Sequence, residues 1–294
     1  MKLIFRRFTS YIFARFLRLL VLTFPWPFKR LAIKIPFSRF SEVFSRLLWR
    51  QEELFWQGVN LRVNPGDLNG YYVYIVREYE NEIIKKLIDL CRDSKLFLDV
   101  GAGIGLICLP VAMACNGLEV YAFEPERINS ENLEYNLGLN KNISGKINVV
   151  KKAAYNKNST VLFNGLNAQS INSGQAHIEL SASGDTCYKV EAVTLDSFFE
   201  KTGKHPDVVK IDVEGAEFEV LEGMKNILRN RYVKAMIIEM HAGFLTKDPD
   251  SDKFRMYRLL KDNDFNLFWL NGNVWEEAPV FNKWPRQFTL FVSK

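Results

Sequence analysis

Long apolar runs are missing from this chain. Arg15 and Arg18 interrupt the N-terminal apolar stretch, so no segment reaches the ~18 residues that crossing a bilayer requires. Leu19–Phe28 is also a poor secretory signal. Two prolines, Pro25 and Pro27, fall inside it, and no clear small-residue cleavage site follows. Cysteine is scarce. Cys91, Cys108, Cys115 and Cys187 show neither metal-ligand spacing nor a pairing pattern. The first three lie in apolar, helix-like sequence, where a buried inert thiol is expected. A reducing compartment follows, and the expected location is the cytoplasm, with peripheral membrane contact left open. Internal repeats and low-complexity tails are absent. Acid is nearly absent from the first fifty residues, which hold eleven Lys or Arg against the single Glu42, a net +10. The other 244 residues carry 28 bases and 33 acids, so the basic character belongs to an appendage.

What is present is a core-forming chain with one concentrated signal. At 294 residues and 48% hydrophobic content it can bury a large core. Leu96–Val100 is a short apolar strand carrying Asp99, and it breaks at once into Gly101, Ala102, Gly103, Ile104 and Gly105. Helix-like sequence follows, then a second strand, Val120–Phe123, ending in Glu124. Strand, glycine turn, helix, and strand with a terminal acid build a nucleoside-type site at the carboxyl edge of a parallel sheet. The carboxylate of Glu124 suits two ribose hydroxyls. The dinucleotide fingerprint needs its third glycine three places after the second; here position 106 is Leu and the glycine falls at 105. No Tyr-x-x-x-Lys pair for hydride transfer is evident either, which disfavours a nicotinamide oxidoreductase without removing it. G-x-G-x-G behind an acid-bearing strand resembles the first motif of class I S-adenosylmethionine methyltransferases.

Further strands continue the pattern. Ile147–Lys151 leads into Ala153, Ala154 and Tyr155; Asp207–Ile211 runs into Asp212–Glu217; Ala235–Met240 closes on His241. After Glu217, Phe218, Leu221, Met224 and Leu228 share a helical face. The assembly DVGAGIG, FEPE, NLGLN, TLDSFF, KIDVEGAEFEVLEGM and IIEMH, over about residues 79–242, resembles the FkbM family of S-adenosylmethionine-dependent methyltransferases. That family often carries Asn where this chain has Gly103. The resemblance implies a Rossmann-like α/β fold with a mostly parallel seven-stranded sheet, helices on both faces and S-adenosylmethionine as cofactor. It implies a cofactor site of Tyr79 and Glu80, Asp99, the turn Gly101, Ala102, Gly103 and Gly105, then Glu124 with Pro125, Ala154 and Asp212. Asp99 would orient the amino group of the methionine portion, or else satisfy the turn amides. Small residues at Ala153 and Ala154 would leave room for adenine.

Methyl transfer to a hydroxyl is helped by a base positioned to take its proton. Asp212, at the end of its strand, is the first candidate and His241 the second, since its ordinary pKa lies near neutrality. Glu214 belongs to the same group, although acids there and at Glu217 would also favour a helix N-terminus. No metal is expected. The expected reaction is methylation of a hydroxyl on a small molecule, glycan or lipid-linked acceptor. A nicotinamide oxidoreductase and a catalytically silent membrane-associated scaffold stand as alternatives.

The expected organisation is a basic, aromatic, helical region over 1–57 and a methyltransferase domain over 58–294. A polar β insert at about 156–193 would contain strands at Val161–Phe163 and Tyr188–Val193, with His177 in a loop. In residues 3–24, Phe5, Phe8, Ile12, Phe16 and Leu19 share one helical face, with Arg7, Tyr11, Ala14 and Arg18 opposite. This helix lies on an anionic membrane surface or packs on protein; nucleic acid is not expected. A helix is expected over Arg39–Trp56, short strands over Leu61–Val76, a helix over Asn81–Cys91, and last strands at Phe265–Leu270 and Gln287–Val292 joined through Trp275–Trp284.

Overall fold

The computed structural model describes residues 14–23, 32–34, 41–166, 174, 176–179 and 186–294. The chain divides into two compact units, residues 1–81 with 167–174, and residues 82–166 with 175–294.

In the first unit, residues 14–23 are helical. Ala14 and Val21 are buried, and the Arg18 guanidinium stacks 4.5 Å above the Tyr74 ring. Phe16, Leu19 and Leu22, three residues apart, stay more than half exposed. The packed face is therefore the one that carries Ala14 and Arg18, and the Phe16–Leu19 face is left uncovered. Phe5, Phe8 and Ile12 lie outside the described residues. Helix α1 (Ser41–Leu48) is shorter than expected, because Glu52–Trp56 forms strand β1 and pairs antiparallel with β2 (Val59–Val63). Alternation explains that hairpin: Leu54 and Trp56, and Val59, Leu61 and Val63, are buried while their neighbours are more open. The expected strand character ends at Val63. Asp67 caps helix α2 (Leu68–Tyr71) by accepting the Gly70 N–H, and a π-helical turn, Tyr72–Val76, continues it.

The second unit begins within α3 (Asn81–Cys91), whose Ile83, Ile84 and Leu87 are buried. Strand β3 (Leu96–Val100) is buried at every position, as a central parallel strand covered on both faces must be. After it come α4 (Cys108–Ala114), β4 (Glu119–Phe123), α5 (Arg127–Gly138) and β5 (Ile147–Val150). A small sheet follows, of β6 (Ala153–Ala154), β7 (Ser159–Asn164), β8 (His177–Glu179) and β9 (Cys187–Val193), in the order β6-β9-β7-β8. Then come α6 (Leu195–Thr202), β10 (Val208–Ile211), α7 (Glu217–Glu222), α8 (Lys225–Arg229), β11 (Ala235–His241), α9 (Pro249–Asp262), β12 (Asn266–Asn271), β13 (Val274–Glu277) and β14 (Gln287–Ser293).

The main sheet has eight strands in the order β13-β12-β14-β11-β10-β3-β4-β5. The expected seven become eight because Val274–Glu277, read from sequence as part of a connection, pairs with β12 as an edge strand. Strands β11, β10, β3, β4 and β5 are mutually parallel, and β14 is antiparallel to β11 and β12. The chain leaves β3 toward β4 and β5, then returns to lay β10 and β11 on the other side. The order thus reverses between β3 and β10, and such a switch point opens a crevice at the carboxyl ends of the strands. Register makes those ends level: Val100 pairs with Phe123 on one side and with Ile211 on the other. Beneath them Leu98, Val100, Phe123, Ile211, Phe218, Leu221, Met224 and Leu228 share one buried core. Among the described residues no helix is long and apolar enough to cross a membrane.

Candidate active site

Three segments leave the level strand ends together. From β3, the backbone turns through Gly101 at φ +84°, and a Cβ there would stand 1.7 Å from the carbonyl oxygen of Asp212. Only glycine lets these two strand ends approach so closely. The Gly101 and Ala102 N–H groups donate to the Phe123 carbonyl at 2.9 and 3.0 Å, so Asp99 does not cap the turn. Gly103, at φ +56°, has nothing within 4 Å of its Cβ position. Asn also tolerates that left-handed conformation, which explains how Gly and Asn can alternate at this position. From β4, Glu124 accepts the Gly103 N–H at 2.7 Å and the Glu126 N–H at 2.8 Å, one on each carboxylate oxygen. Each oxygen keeps a further lone pair. Burial pushes the Glu124 carboxyl up to about 8, against the pull of those two N–H donors.

Behind the turn lies a line of buried charge. Asp99 is wholly buried, with Lys210 Nζ 3.9 Å away across the β3–β10 register; Lys210 also donates to Asp212 Oδ2 at 3.0 Å. Burial raises the Asp99 pKa and the Lys210 charge opposes the rise. Lys210 thus ties Asp212 to the strand below it.

The third segment is the turn Asp212–Gly215, with Glu214 at φ +55°, entering α7. His241, at the end of β11, brings Nε2 within 3.6 Å of Glu214 Oε2 and 3.9 Å of Glu239 Oε1. Its Nδ1 faces Glu217 Oε1 at 3.2 Å. Glu217 is completely buried and also accepts N–H groups from Gly215 at 2.8 Å and His241 at 3.3 Å. On the outer side Gln287 Nε2 lies 3.1 Å from His241 Nε2, set there by the β11–β14 register. Burial works to lower the His241 pKa, but the Glu217 hydrogen bond and the charges of Glu217, Glu214 and Asp212 outweigh it and raise the value to about 9. Burial likewise raises Glu214 to about 7. One ligand atom each from Asp212, Glu214 and His241 falls within 4.8 Å of the others. Both ring nitrogens of His241 face partners.

Glu217 and Gln287 are the functional candidates that sequence reasoning passed over. The only hint of Glu217 was its place in the Asp212–Glu217 motif, where it passes for a first-turn helix acid. Gln287 gave no signal. The small sheet packs beside the turn. Its core of Phe163, Ile178 and Ala192 includes Ala216 from the turn before α7 and Leu245 from beyond β11. Tyr188 donates toward Glu126 at 3.4 Å and accepts the Arg127 N–H. His177 lies in β8 and meets the Phe244 ring edge-on at 4.7 Å. Pro125 is half-buried beside Glu124, and Ala154 is buried in β6. Tyr79 and Glu80 belong to the first unit, half-buried, and their part in cofactor binding rests on the family resemblance.

Residues 99–267 match the methyltransferase FkbM domain, more than half of the chain. The chain belongs to the FkbM methyltransferase family. Its α/β sheet and helices are those of the Rossmann-like class I methyltransferase fold. Over 171 residues it is 29% identical to the hexuronic acid methyltransferase AglP of Haloferax volcanii, covering 58% of this chain and 65% of that protein. A methyltransferase FkbM structure from Methylobacillus flagellatus aligns at TM-score 0.45 and 17% identity, covering 76% of this chain and 52% of that one. An S-adenosylmethionine-dependent methyltransferase from Agrobacterium tumefaciens aligns at TM-score 0.44 and 12% identity, covering 82% and 69%. The chain therefore spans about two thirds of its curated relative and about half of the first of these structures.

Proposed function

We propose that this chain is an S-adenosylmethionine-dependent O-methyltransferase whose acceptor is a hydroxyl on a sugar, glycan or lipid-linked saccharide. One observation carries the reading. The Gly101–Gly105 turn, the Glu124 carboxylate and the Asp212–His241 cluster converge on one carboxyl edge at the sheet's switch point. The cofactor fits these residues. Glu124 keeps lone pairs for two ribose hydroxyls, the open side of Gly103 leaves room for close approach, and Ala154 is small where adenine would lie. Asp99 and Pro125 complete the proposed site within the second unit, and the family resemblance alone adds Tyr79 and Glu80. When bound, the cofactor supplies an electrophilic methyl group on a positively charged sulfur.

The protein's own residues do the rest. Asp212, Glu214, Glu217 and Glu239 place negative charge at that edge and favour a cationic sulfur there. Glu214, and His241 once its own proton has left, are placed to take the acceptor's proton. The small sheet and the Phe244 loop help keep water out. Similarity to AglP supports a saccharide acceptor. We further propose that the exposed Phe16, Leu19 and Leu22 stripe, within a region of net +10, contacts anionic lipid; such a contact would suit a lipid-linked acceptor.

The test is incubation with methyl-labelled S-adenosylmethionine and glucuronate-terminated oligosaccharides, free and lipid-linked. Label entering the saccharide of the wild type, and little entering with His241→Gln, is expected. Label in neither saccharide would count against the acceptor class.

A further inference from the structure

We propose that Glu217 is the positioning residue of this site: its buried carboxylate takes Nδ1–H of His241, fixes the ring, and makes Nε2 the atom that receives the acceptor's proton. The inference rests on the methyltransferase reading above and deepens it. It begins from geometry. Glu217 is wholly buried yet bonded on both oxygens, to the Gly215 N–H, the His241 N–H and the His241 ring. It thereby joins the turn after β10 to the end of β11. A carboxylate has no proton to give, so Nδ1 must carry the hydrogen of that bond. In the neutral ring Nε2 is then an acceptor, and the facing Gln287 amide can donate to it.

The alternative base, Asp212, is engaged by Lys210 at 3.0 Å. Among the described residues, the groups that face His241 are Glu214 and Glu217 beyond β10, Asp212 at the end of β10, Glu239 on its own strand and the neutral Gln287 of β14. These carboxylates keep the imidazole protonated to about 9. With a cationic cofactor held beside these carboxylates, His241 would give up that proton to solvent more readily, leaving Nε2 free. The acceptor oxygen then forms its bond to the methyl carbon, and the carbon–sulfur bond breaks with its electron pair staying on sulfur. The hydroxyl proton passes to Nε2, displacing the exposed Gln287 amide. The imidazolium so formed lies against Glu217.

The experiment is an NMR titration of ring-labelled histidine in the full chain. Its three histidines are assigned by His177→Gln, His205→Gln and His241→Gln. In the wild type His241 should titrate near 9 and, above that, show the Nδ1–H tautomer. Glu217→Gln should lower its pKa by about one unit or more, with His177 and His205 unmoved, and Glu217→Asp should restore part of the shift. An Nε2–H tautomer in the wild type, or an unmoved pKa in Glu217→Gln, overturns the proposal. The wild-type tautomer decides even if the variants fail to fold. In parallel, the pH–rate profile of methyl transfer should move to lower pH in Glu217→Gln. A flat profile in both proteins, as a carboxylate acceptor would give, also overturns the base role. Absence of S-adenosylmethionine binding would count against the function while leaving the tautomer readable.

Discussion

Replacing Gly101 by alanine puts a Cβ 1.7 Å from the Asp212 carbonyl oxygen and 2.8 Å from its carbon. Both are backbone atoms, so no side chain can swing aside; to bring that contact from 1.7 to at least 3.0 Å the ends of β3 and β10 must part by about 1.3 Å. The bond from the Asp212 N–H to the Val100 carbonyl, 2.9 Å long, is the first loss, worth about 1 kcal/mol. A positive φ at a non-glycine residue adds about 1–2 kcal/mol, and overpacking about 1–3 kcal/mol more. The sum is on the order of 4 kcal/mol, a large share of an ordinary domain's stability. Gly103→Ala is the control. Its φ is also positive, but nothing lies within 4 Å, so only the conformational cost of about 1 kcal/mol applies. Gly103→Asn should cost less still. Urea denaturation of the full-length variants, followed by far-UV dichroism and tryptophan fluorescence, measures the difference. S-adenosylmethionine affinity should fall steeply in Gly101→Ala and little in Gly103→Asn. Equal losses of stability for Gly101→Ala and Gly103→Ala would refute the close-approach argument.

Glu124 makes cofactor binding depend on pH with a definite sign. Burial holds a proton on its carboxyl up to about 8, whereas ribose hydroxyls donate best to the carboxylate. Affinity should therefore rise with pH until about 8 and then level off, with proton release seen by calorimetry in buffers of different ionisation enthalpy. Glu124→Gln should lose much of both the affinity and the pH dependence; proton uptake by the wild type would contradict the assignment. His241→Gln should slow transfer by about 10²–10⁴-fold, with cofactor affinity nearly unchanged, and transfer at the wild-type rate would remove His241 from the base role. Phe16→Glu with Leu19→Glu, on the exposed face of residues 14–23, should abolish binding to phosphatidylserine vesicles while sparing cofactor binding. Equal sedimentation of variant and wild type with those vesicles would defeat the lipid contact.

The parts legible in the sequence share a cause. The glycine turn, the acid ending β4 and the KIDVEGAE segment each lie within a few residues of a strand end, so short-range pattern located them. The parts that escaped depend on pairing between distant segments. Gln287 faces His241 only because β14 runs antiparallel to β11 in that register. Glu217 reads as a first-turn helix acid until β11 brings His241 over it. Val274–Glu277 is exposed or half-exposed throughout and offers no buried pattern to mark it as a strand. Leu68–Val76 turns helical behind the Asp67 cap, although Val73, Ile75 and Val76 also suit a strand. The Phe16–Leu19 stripe was visible as an apolar face. Its exposure was not, because periodicity does not say which face of a helix packs.

The central claim is that the switch-point edge binds S-adenosylmethionine. Calorimetric titration of the full chain with S-adenosylmethionine, S-adenosylhomocysteine and NAD in parallel tests it most directly. Saturable binding of the first two, silence with NAD, and weakening by Glu124→Gln is the predicted result. Binding of NAD alone, or no difference between Glu124→Gln and the wild type, would contradict it.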